Sequence, residues 1–317
     1  MNENLEDLIS ILMPVYNVEL FVSDAINSIL KQTYKNIELI IVDDCSTDQT
    51  YSLCKMIAST DKRICLYRNE ENMKIERTLN FALTKARGKY IARMDGDDIS
   101  LPDRLQVMKQ YLDDNADISL VGTNVYTLNK DGSRIGHTEL PSSEKQVKEI
   151  LNIQTPVLHI WMTYKKIYDE LKGYRIFHGA EDYDFVLRTI SLGYKVINIP
   201  NYYGYCVRLN RDDNTMARLG ISRVRSAMYA LKLFKERKKN GKDSYNEQAL
   251  NKYIRCTKFS QKIYSLSNRY LYKAMVERKK NNYFLMTLFI FISLISTYQV
   301  SYYLKKIKYN ILLRDGK

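Results

Sequence analysis

Paired cysteines are missing from this chain. Its five, Cys45, Cys54, Cys65, Cys206 and Cys256, are odd in number and scattered, with no Cys-x-x-Cys pair. Neither a disulfide framework nor a zinc site is implied, and a reducing compartment fits. A charged-then-apolar leader is lacking too, so secretion is not expected. Carboxylates are scarce in the last third. Residues 218–317 hold five Asp and Glu against 23 Lys and Arg, while residues 1–217 hold 31 against 26. The formal net charge of +13 therefore arises in the C-terminal third, and such asymmetry predicts a polyanionic partner, either nucleic acid or an anionic membrane surface. Zinc, RNP-like and helix-turn-helix signatures are all absent, and the tyrosines of the basic third (Tyr245, Tyr253, Tyr264, Tyr270, Tyr272) are spaced like helix faces. Nucleic acid is thereby disfavoured as the partner. There is no internal repeat, and composition breaks only near residues 210–220. We expect one α/β domain over residues 1–217 and a basic helical extension over 218–317, a division that 317 residues can support.

The most informative stretch runs from Gly88 to Pro102. The apolar run Tyr90 to Met94 ends in three carboxylates, Asp95, Asp97 and Asp98, around one glycine. Side chains two apart on an extended strand share a face, so Asp95 and Asp97 can converge on one point. Like charges that close raise each other's pKa unless a cation sits between them. An oxygen-only ligand set with open positions suits Mg2+ or Mn2+ shared with substrate phosphates. The same residues also read as an acidic turn before a helix, with Asp98 or Ser100 as N-cap and Pro102 in the first turn.

Upstream, residues 8–15 predict a buried strand ending at Pro14, then a turn at Tyr16-Asn17 and an amphipathic helix. A second strand, Ile37 to Val42, runs into Asp43-Asp44-Cys45-Ser46-Thr47-Asp48, which ends it and caps a helix through about Ala58. Ile64–Arg68 reads as a strand and Ile75–Ala86 as a helix. This alternation predicts a mostly parallel sheet of βαβ units, with both acidic clusters at strand carboxyl ends, where such sheets bind ligands. Downstream we expect a helix to about Asp113, a strand at Ile118–Leu128, a turn at Asn129–Gly132, an irregular middle, a helix from Phe185 to Ser191 and a strand from Tyr194 to Ile199. Helices follow from Ser222 to Lys280. Residues 281–304 form an uncharged run with lysines on both flanks and tyrosines at its edges. At about 1.5 Å per residue it could cross a bilayer, but the polar Ser293, Ser296, Thr297, Gln299 and Ser301 favour a helix lying on the membrane surface.

With Pro14-Val-Tyr-Asn17, Asp43-Asp44, Asp95-Gly-Asp97 and the later Glu181-Asp182, the order of motifs over about residues 8–210 resembles the family 2 glycosyltransferases. That resemblance implies a GT-A, Rossmann-like nucleotide-diphospho-sugar transferase fold and inverting transfer from a nucleoside-diphosphate sugar. The acceptor would be a saccharide or a lipid-linked saccharide, in cell-surface polysaccharide synthesis on the cytoplasmic face of the membrane. By the same resemblance Pro14, Tyr16, Asn17, Asp43 and Asp44 would hold the nucleoside. Asp97 would ligate Mn2+ or Mg2+, with Asp95 toward ribose or metal. Asp182, in the Glu181-Asp182 motif, would be the catalytic base, and Tyr205 and Arg208 would lie near the pyrophosphate. His159 and His178 fit either an acceptor cleft or a structural role. The chain departs from the pattern at Cys45, at Met73-Lys74 and at Phe81, where glycine or a small residue is usual, so its donor pocket is expected to differ. A catalytically idle sugar-nucleotide-binding module is the alternative from another class.

Overall fold

The computed structural model describes residues 7–209 and 215–314. Contacts group the chain into two compact units. The first comprises Met1–Leu151, Thr155–Ile176 and Glu181–Asp212, and the second Asn152–Gln154, Phe177–Ala180 and Asp213–Lys317.

The first unit is built on three buried strands and a half-buried edge strand. Strands β1 (Ile9–Val15), β2 (Ile37–Asp43), β3 (Ile64–Arg68) and β4 (Tyr90–Arg93) alternate with helices α1 (Val22–Leu30), α2 (Thr50–Ala58) and α3 (Lys74–Lys85). They pair in parallel in the order β3-β2-β1-β4. Both faces of β1 and β2 are covered, which is why these runs are continuously apolar rather than alternating. Val22, Ala25, Ile26 and Ile29 of α1 pack on Ile9, Ile11 and Met13 in the core. Ser10 and Glu38 are polar exceptions, Glu38 being a buried carboxylate near the start of β2. It accepts hydrogen bonds from Ser10 Oγ (2.5 Å), Arg87 N (2.7 Å) and Arg87 Nε (2.9 Å), and Gly88 N donates to Ser10 Oγ (2.8 Å). This network fixes where β4 begins against β1.

The second half of the sheet is mixed. It contains β5 (Ile99–Ser100), β6 (Ile118–Leu128), β7 (Arg134–Thr138), β8 (Met162–Tyr164) and β9 (Lys195–Arg208), with helices α4 (Arg104–Asp114), α5 (Glu144–Ile150), α6 (Lys165–Leu171) and α7 (Glu181–Ser191). The order continues β4-β8-β6-β9-β5, with β7 on β6. β8 is antiparallel to both β4 and β6, whereas β6 and β9 are parallel.

Three elements differ from the expectation. Ile99-Ser100 is a strand paired with Cys206 and Tyr205, so Asp98 and Ser100 cap no helix and α4 starts only at Arg104. β9 runs on past Ile199 to Arg208, because its second half finds partners on both β6 and β5. Helix α7 begins at Glu181, four residues before Phe185.

The second unit is helical: α8 (Thr215–Asn240, kinked at Gly220), α9 (Glu247–Ile254), α10 (Lys258–Lys279), α11 (Tyr283–Ser293) and α12 (Thr297–Arg314). Asn246, Thr257 and Asn282 cap α9, α10 and α11 by accepting from the N–H groups of Ala249, Ser260 and Leu285. The uncharged run 281–304 is divided between α11 and α12. Among the described residues no helix is long and apolar enough to cross a membrane.

The close approach at Gly88 gives a first prediction. A Cβ there would meet the Leu8 carbonyl oxygen at 2.5 Å and Ser10 Oγ at 2.8 Å, and neither can retreat without disturbing β1. Gly88→Ala should lower unfolding stability in urea by about 2 kcal/mol; an unchanged midpoint would show that β1 and β4 tolerate separation.

Candidate active site

The parallel strands deliver their carboxyl ends to one edge. β1 ends at Pro14-Val15, and Asp44 N donates to Val15 O (2.9 Å). Tyr16 is exposed, and Asn17 takes a left-handed φ of 50°. The Asn17 N–H donates to Ser46 Oγ (3.1 Å) and its Oδ1 accepts from Thr47 N (2.9 Å), so the turns after β1 and β2 are tied together.

Asp43 and Asp44 are both buried but differently employed. Asp43 Oδ2 accepts from Ser46 N (3.2 Å) and pairs with Arg68 Nε (3.1 Å), while its Oδ1 is buried without a hydrogen-bond partner among the described residues. Burial raises its pKa against the opposing effects of Ser46 and Arg68. Asp44 Oδ1 accepts from Met73 N (2.7 Å), Asn69 Nδ2 (2.8 Å) and Thr78 Oγ1 (2.9 Å), and its Oδ2 from Lys74 N (3.0 Å). A carboxylate has about four acceptor sites, so Asp44 is occupied in holding residues 69–78. The departures from glycine now have a physical account. Cys45 (φ 62°) and Lys74 (φ 69°) both sit in the left-handed region, whereas Phe81 lies within α3 and packs edge-on against Tyr67 at 5.6 Å.

At the end of β4, Asp95, Asp97 and Asp98 each bring one carboxylate oxygen within 4.8 Å of the others. Asp95 Oδ2 lies 2.9 Å from His159 Nε2, and Asp95 N donates to the Tyr205 hydroxyl (3.1 Å). Asp98 Oδ1 accepts from Arg208 N (2.7 Å), and Arg208 Nε donates to Asp97 O (3.0 Å). Arg208 Nη1 donates to Asn129 O and Lys130 O, and its guanidinium covers the Phe21 ring at 4.7 Å. Buried and turned inward, Arg208 clamps the acidic loop to the β6–β7 turn. Asp98 is pushed well above the usual carboxylate range by burial and by Asp97 and Asp95, against Arg208 N and Tyr205. An all-oxygen cluster under that repulsion suits a hard divalent cation.

Glu181-Asp182 opens α7. Trp161, Tyr168, Tyr174 and Phe185 form a buried aromatic cluster beneath it, with Trp161 and Phe185 stacked at 5.4 Å. Arg188 Nε donates to Asp184 Oδ2 (2.7 Å), and its other nitrogens donate to Leu171 O and Gly173 O (2.8 Å each). Asp182 is half-buried and its Oδ1 accepts from Tyr183 N (2.7 Å). Glu181 is buried, with Oε1 3.3 Å from Arg93 Nη1, and Arg93 Nε lies 3.5 Å from Asp95 Oδ1. Arg93 thus brings the two carboxylate groups together across 86 positions of sequence. Burial would lower the Arg93 pKa, but Asp95 and Glu181 raise it above its ordinary value. His159 is also raised: burial and Arg93 oppose this, and the charge and hydrogen bond of Asp95 together with Asp182 outweigh them. Arg93 is not among the sequence candidates, although its signal is there: an arginine two residues before Asp95 in an apolar strand shares its face. His178 lies in the second unit, 3.1 Å from Asn251 Oδ1.

The sequence profile of Glycosyl transferase family 2 matches residues 10–172. This chain belongs to that family. The glycosyltransferase EpsE of Bacillus subtilis (strain 168) is 38% identical over 196 residues, 60% of this chain and 69% of EpsE. The glycosyltransferase MJ1057 of Methanocaldococcus jannaschii is 32% identical over 237 residues, 74% of this chain and 81% of its own. The O-antigen biosynthesis glycosyltransferase WbnJ of Escherichia coli is 34% identical over 195 residues, 60% of this chain and 75% of WbnJ. Among solved structures, S. aureus TarS 1–349 in complex with UDP-GlcNAc aligns with a TM-score of 0.62 at 14% identity, covering 89% of this chain and 90% of that one. The mannosyltransferase PcManGT of Pyrobaculum calidifontis, in complex with GDP-Man and Mn2+, aligns at 0.58 and 15% identity, covering 99% and 89%. Those structural likenesses carry the fold alone, which is the GT-A glycosyltransferase fold.

Two predictions follow from the strained turn and the buried acid. A left-handed non-glycine residue costs about 1–2 kcal/mol, and glycine gives back part of that in unfolded-chain entropy. Cys45→Gly should therefore stabilise this glycosyltransferase by about 0.5–1 kcal/mol in urea, and a loss of stability would show that the thiol contact to Glu70 O matters more than the backbone. Glu181 is pushed up from 4.5 to about 7 by burial and Asp182, with Arg93 opposing. The folded state therefore binds the extra proton, and stability present below about pH 4.5 is lost as pH rises through about 7. Glu181→Gln mimics the protonated acid. It should raise stability at pH 8, on the order of 2 kcal/mol, and leave it unchanged at pH 4. Melting curves at the two pH values decide, and equal effects at both would refute the shift.

Proposed function

We propose that this glycosyltransferase moves a sugar from a nucleoside diphosphate to an acceptor hydroxyl with inversion, in the building of cell-surface polysaccharide. The observation that carries this reading is the Arg93 bridge, which joins the acidic loop to the start of α7. In that reading Asp182 is the base. It takes the acceptor proton as the acceptor oxygen bonds to the anomeric carbon and the bond to the diphosphate breaks on the opposite face. Glu181 positions Asp182 through Arg93 and the first turn of α7. Asp97 and Asp95, with Asp98 behind them, would hold Mn2+ or Mg2+, which supplies positive charge to the departing diphosphate.

The nucleoside end is assigned to Pro14, Tyr16, Asn17 and Asp43. The buried Asp43 oxygen, which has no partner among the described residues, suits a base N–H, a charge-assisted acceptor being stronger than a neutral one. Asp44 acts there indirectly, by fixing the adjoining loop. The complexes of TarS with UDP-GlcNAc and of PcManGT with GDP-Man and Mn2+ support a nucleotide-sugar donor and a divalent cation. We further assign a saccharide or lipid-linked saccharide acceptor, met peripherally at the cytoplasmic face of the membrane. The basic second unit supports this, since each Lys or Arg near an anionic surface contributes about 1 kcal/mol. So do the exposed side chains of Phe284 (80% exposed), Phe291 (67%) and Leu304 (64%).

Three measurements test the assignment. A thermal-shift screen of UDP-, GDP- and dTDP-sugars with Mn2+ should single out one donor class, since ligand at about 100 times its Kd adds about 2.7 kcal/mol. With that donor, Asp182→Asn should lower transfer by about 10^3-fold while keeping the donor-induced shift. Asp97→Ala should lose both transfer and the metal-dependent part of the shift. Near-normal turnover in either variant removes that residue from its role, and retention of anomeric configuration in the product rules out single displacement.

A further inference from the structure

Within the second unit, α8 and α12 line a cavity of about 880 Å3, a volume typical of small-molecule sites. Four lysines face it: Lys232, Lys235 and Lys239 from α8, and Lys305 from α12. The α8 lysines are three and four residues apart, so they stand on one face of the helix. Among the described residues of the lining the only acid is Glu236, and its charge is already engaged. It lies 3.6 Å from Lys232 Nζ and accepts from Ser244 N (3.0 Å) and Ser244 Oγ (2.7 Å). Among the described residues no carboxylate lies within ion-pair distance of Lys235, Lys239 or Lys305.

A solvated basic face would let such side chains spread apart into water. Here Lys305 is half-buried, and its ammonium pKa is pushed down by burial and by the neighbouring Lys235. Lys232, Lys235 and Lys239 are exposed, but like charges gathered around a half-buried ammonium are still unfavourable, and an anion between them relieves the cost. The wall on the α12 side is pre-positioned. Arg225 Nη1 donates to the Tyr298 hydroxyl (2.8 Å) and Arg225 Nε to Tyr253 O (2.8 Å), and both tyrosines line the cavity. Met228 and Leu231 add apolar surface beside the charges, which suits an anion attached to a larger body.

We propose that this cavity binds a phosphate monoester or diphosphate group, held by Lys235, Lys239 and Lys305. The site draws on none of the residues assigned to sugar transfer, so it stands or falls apart from that reading. Phosphate oxygens accept several ammonium donors at once, and such charge-assisted bonds are among the strong ones.

Competitive amine acylation tests the site directly. The full chain in EDTA at pH 8 is treated with limiting acylating reagent, and modification is read lysine by lysine by peptide mass spectrometry. Inorganic pyrophosphate should shield Lys235 and Lys305 with half-protection at about 1 mM or below, leaving the exposed Lys252 and Lys258 unaffected. In Lys305→Gln the concentration that half-protects Lys235 should rise about tenfold. Vesicles containing phosphatidic acid, compared with phosphatidylcholine alone, distinguish the source. Selective shielding by the vesicles and not by pyrophosphate assigns the phosphate to a lipid headgroup, and shielding by pyrophosphate assigns it to a group recognised in free solution. Unchanged labelling of Lys235 and Lys305 with both probes, or equal shielding of Lys252 and Lys258, overturns the proposal. So does an unaltered half-protection in Lys305→Gln.

Discussion

A single buried guanidinium constrains the site. Arg93 is 4% exposed, and a charge taken that far out of water requires counter-charges close by. The chain supplies two from distant places, Asp95 from the end of the same strand and Glu181 from the first turn of α7. Whether such an arrangement adds net stability is secondary, because desolvation offsets much of the attraction. What it imposes is geometry. Its depth is set from behind by Arg104, whose Nη2 donates to Arg93 O and Ile160 O at 2.8 Å each. At the other end of β4, the Glu38, Ser10 and Gly88 network fixes the start of the strand. The aromatic cluster and the Asp184–Arg188 pair do the same for α7.

Around that anchor the carboxylates are poorly compensated. Burial raises Asp43, burial and its neighbours raise Asp98, and burial and Asp182 raise Glu181. A site in this state gains by admitting hydrogen-bond donors and cations, as the nucleotide-sugar and divalent ion proposed for it would supply. The second unit shows the mirror image. There the surplus is ammonium, and the group that relieves it is an anion.

The first half of the fold was legible because its physics is local. β1 to β4 are short apolar runs separated by helical periods, and their acidic ends follow from the parallel topology. The second half depends on pairings that leave little local trace. β8 has three residues and β5 two, and each exists because long neighbours offer it hydrogen bonds. Ile99-Ser100, beside Pro102, therefore looks like a helix start until β9 is in place. The uncharged run 281–304 shows the reverse error, where hydropathy suggests one long segment and the backbone breaks it between α11 and α12. For the site, Asp95, Asp97 and the Glu181-Asp182 pair could be found from motif order. Arg93 could have been found from strand period, but Arg208's inward clamp could not, since it depends on the register of β9 against β5.

Adjacent acids in the site divide their labour. In Asp43-Asp44, the second residue is filled by four donors from residues 69–78, while the first keeps a buried oxygen without a partner among the described residues. In Glu181-Asp182, the first is buried on Arg93 and the second is half-exposed. Asp98 accepts from Arg208 N, and Asp97 stands beside it in the cluster. In the first and third pairs one member accepts backbone N–H groups, whereas in Glu181-Asp182 the first is held by the Arg93 guanidinium and the second accepts from Tyr183 N. This arrangement also accounts for the left-handed Cys45 and Lys74 at positions where glycine would be easier. Strained backbone persists where the surroundings over-determine it, and Asp44 binds the N–H of Lys74 directly and is covalently next to Cys45. The left-handed Lys74 is held by the hydrogen bond from its N–H to the same carboxylate that fixes Asn69, Met73 and Thr78.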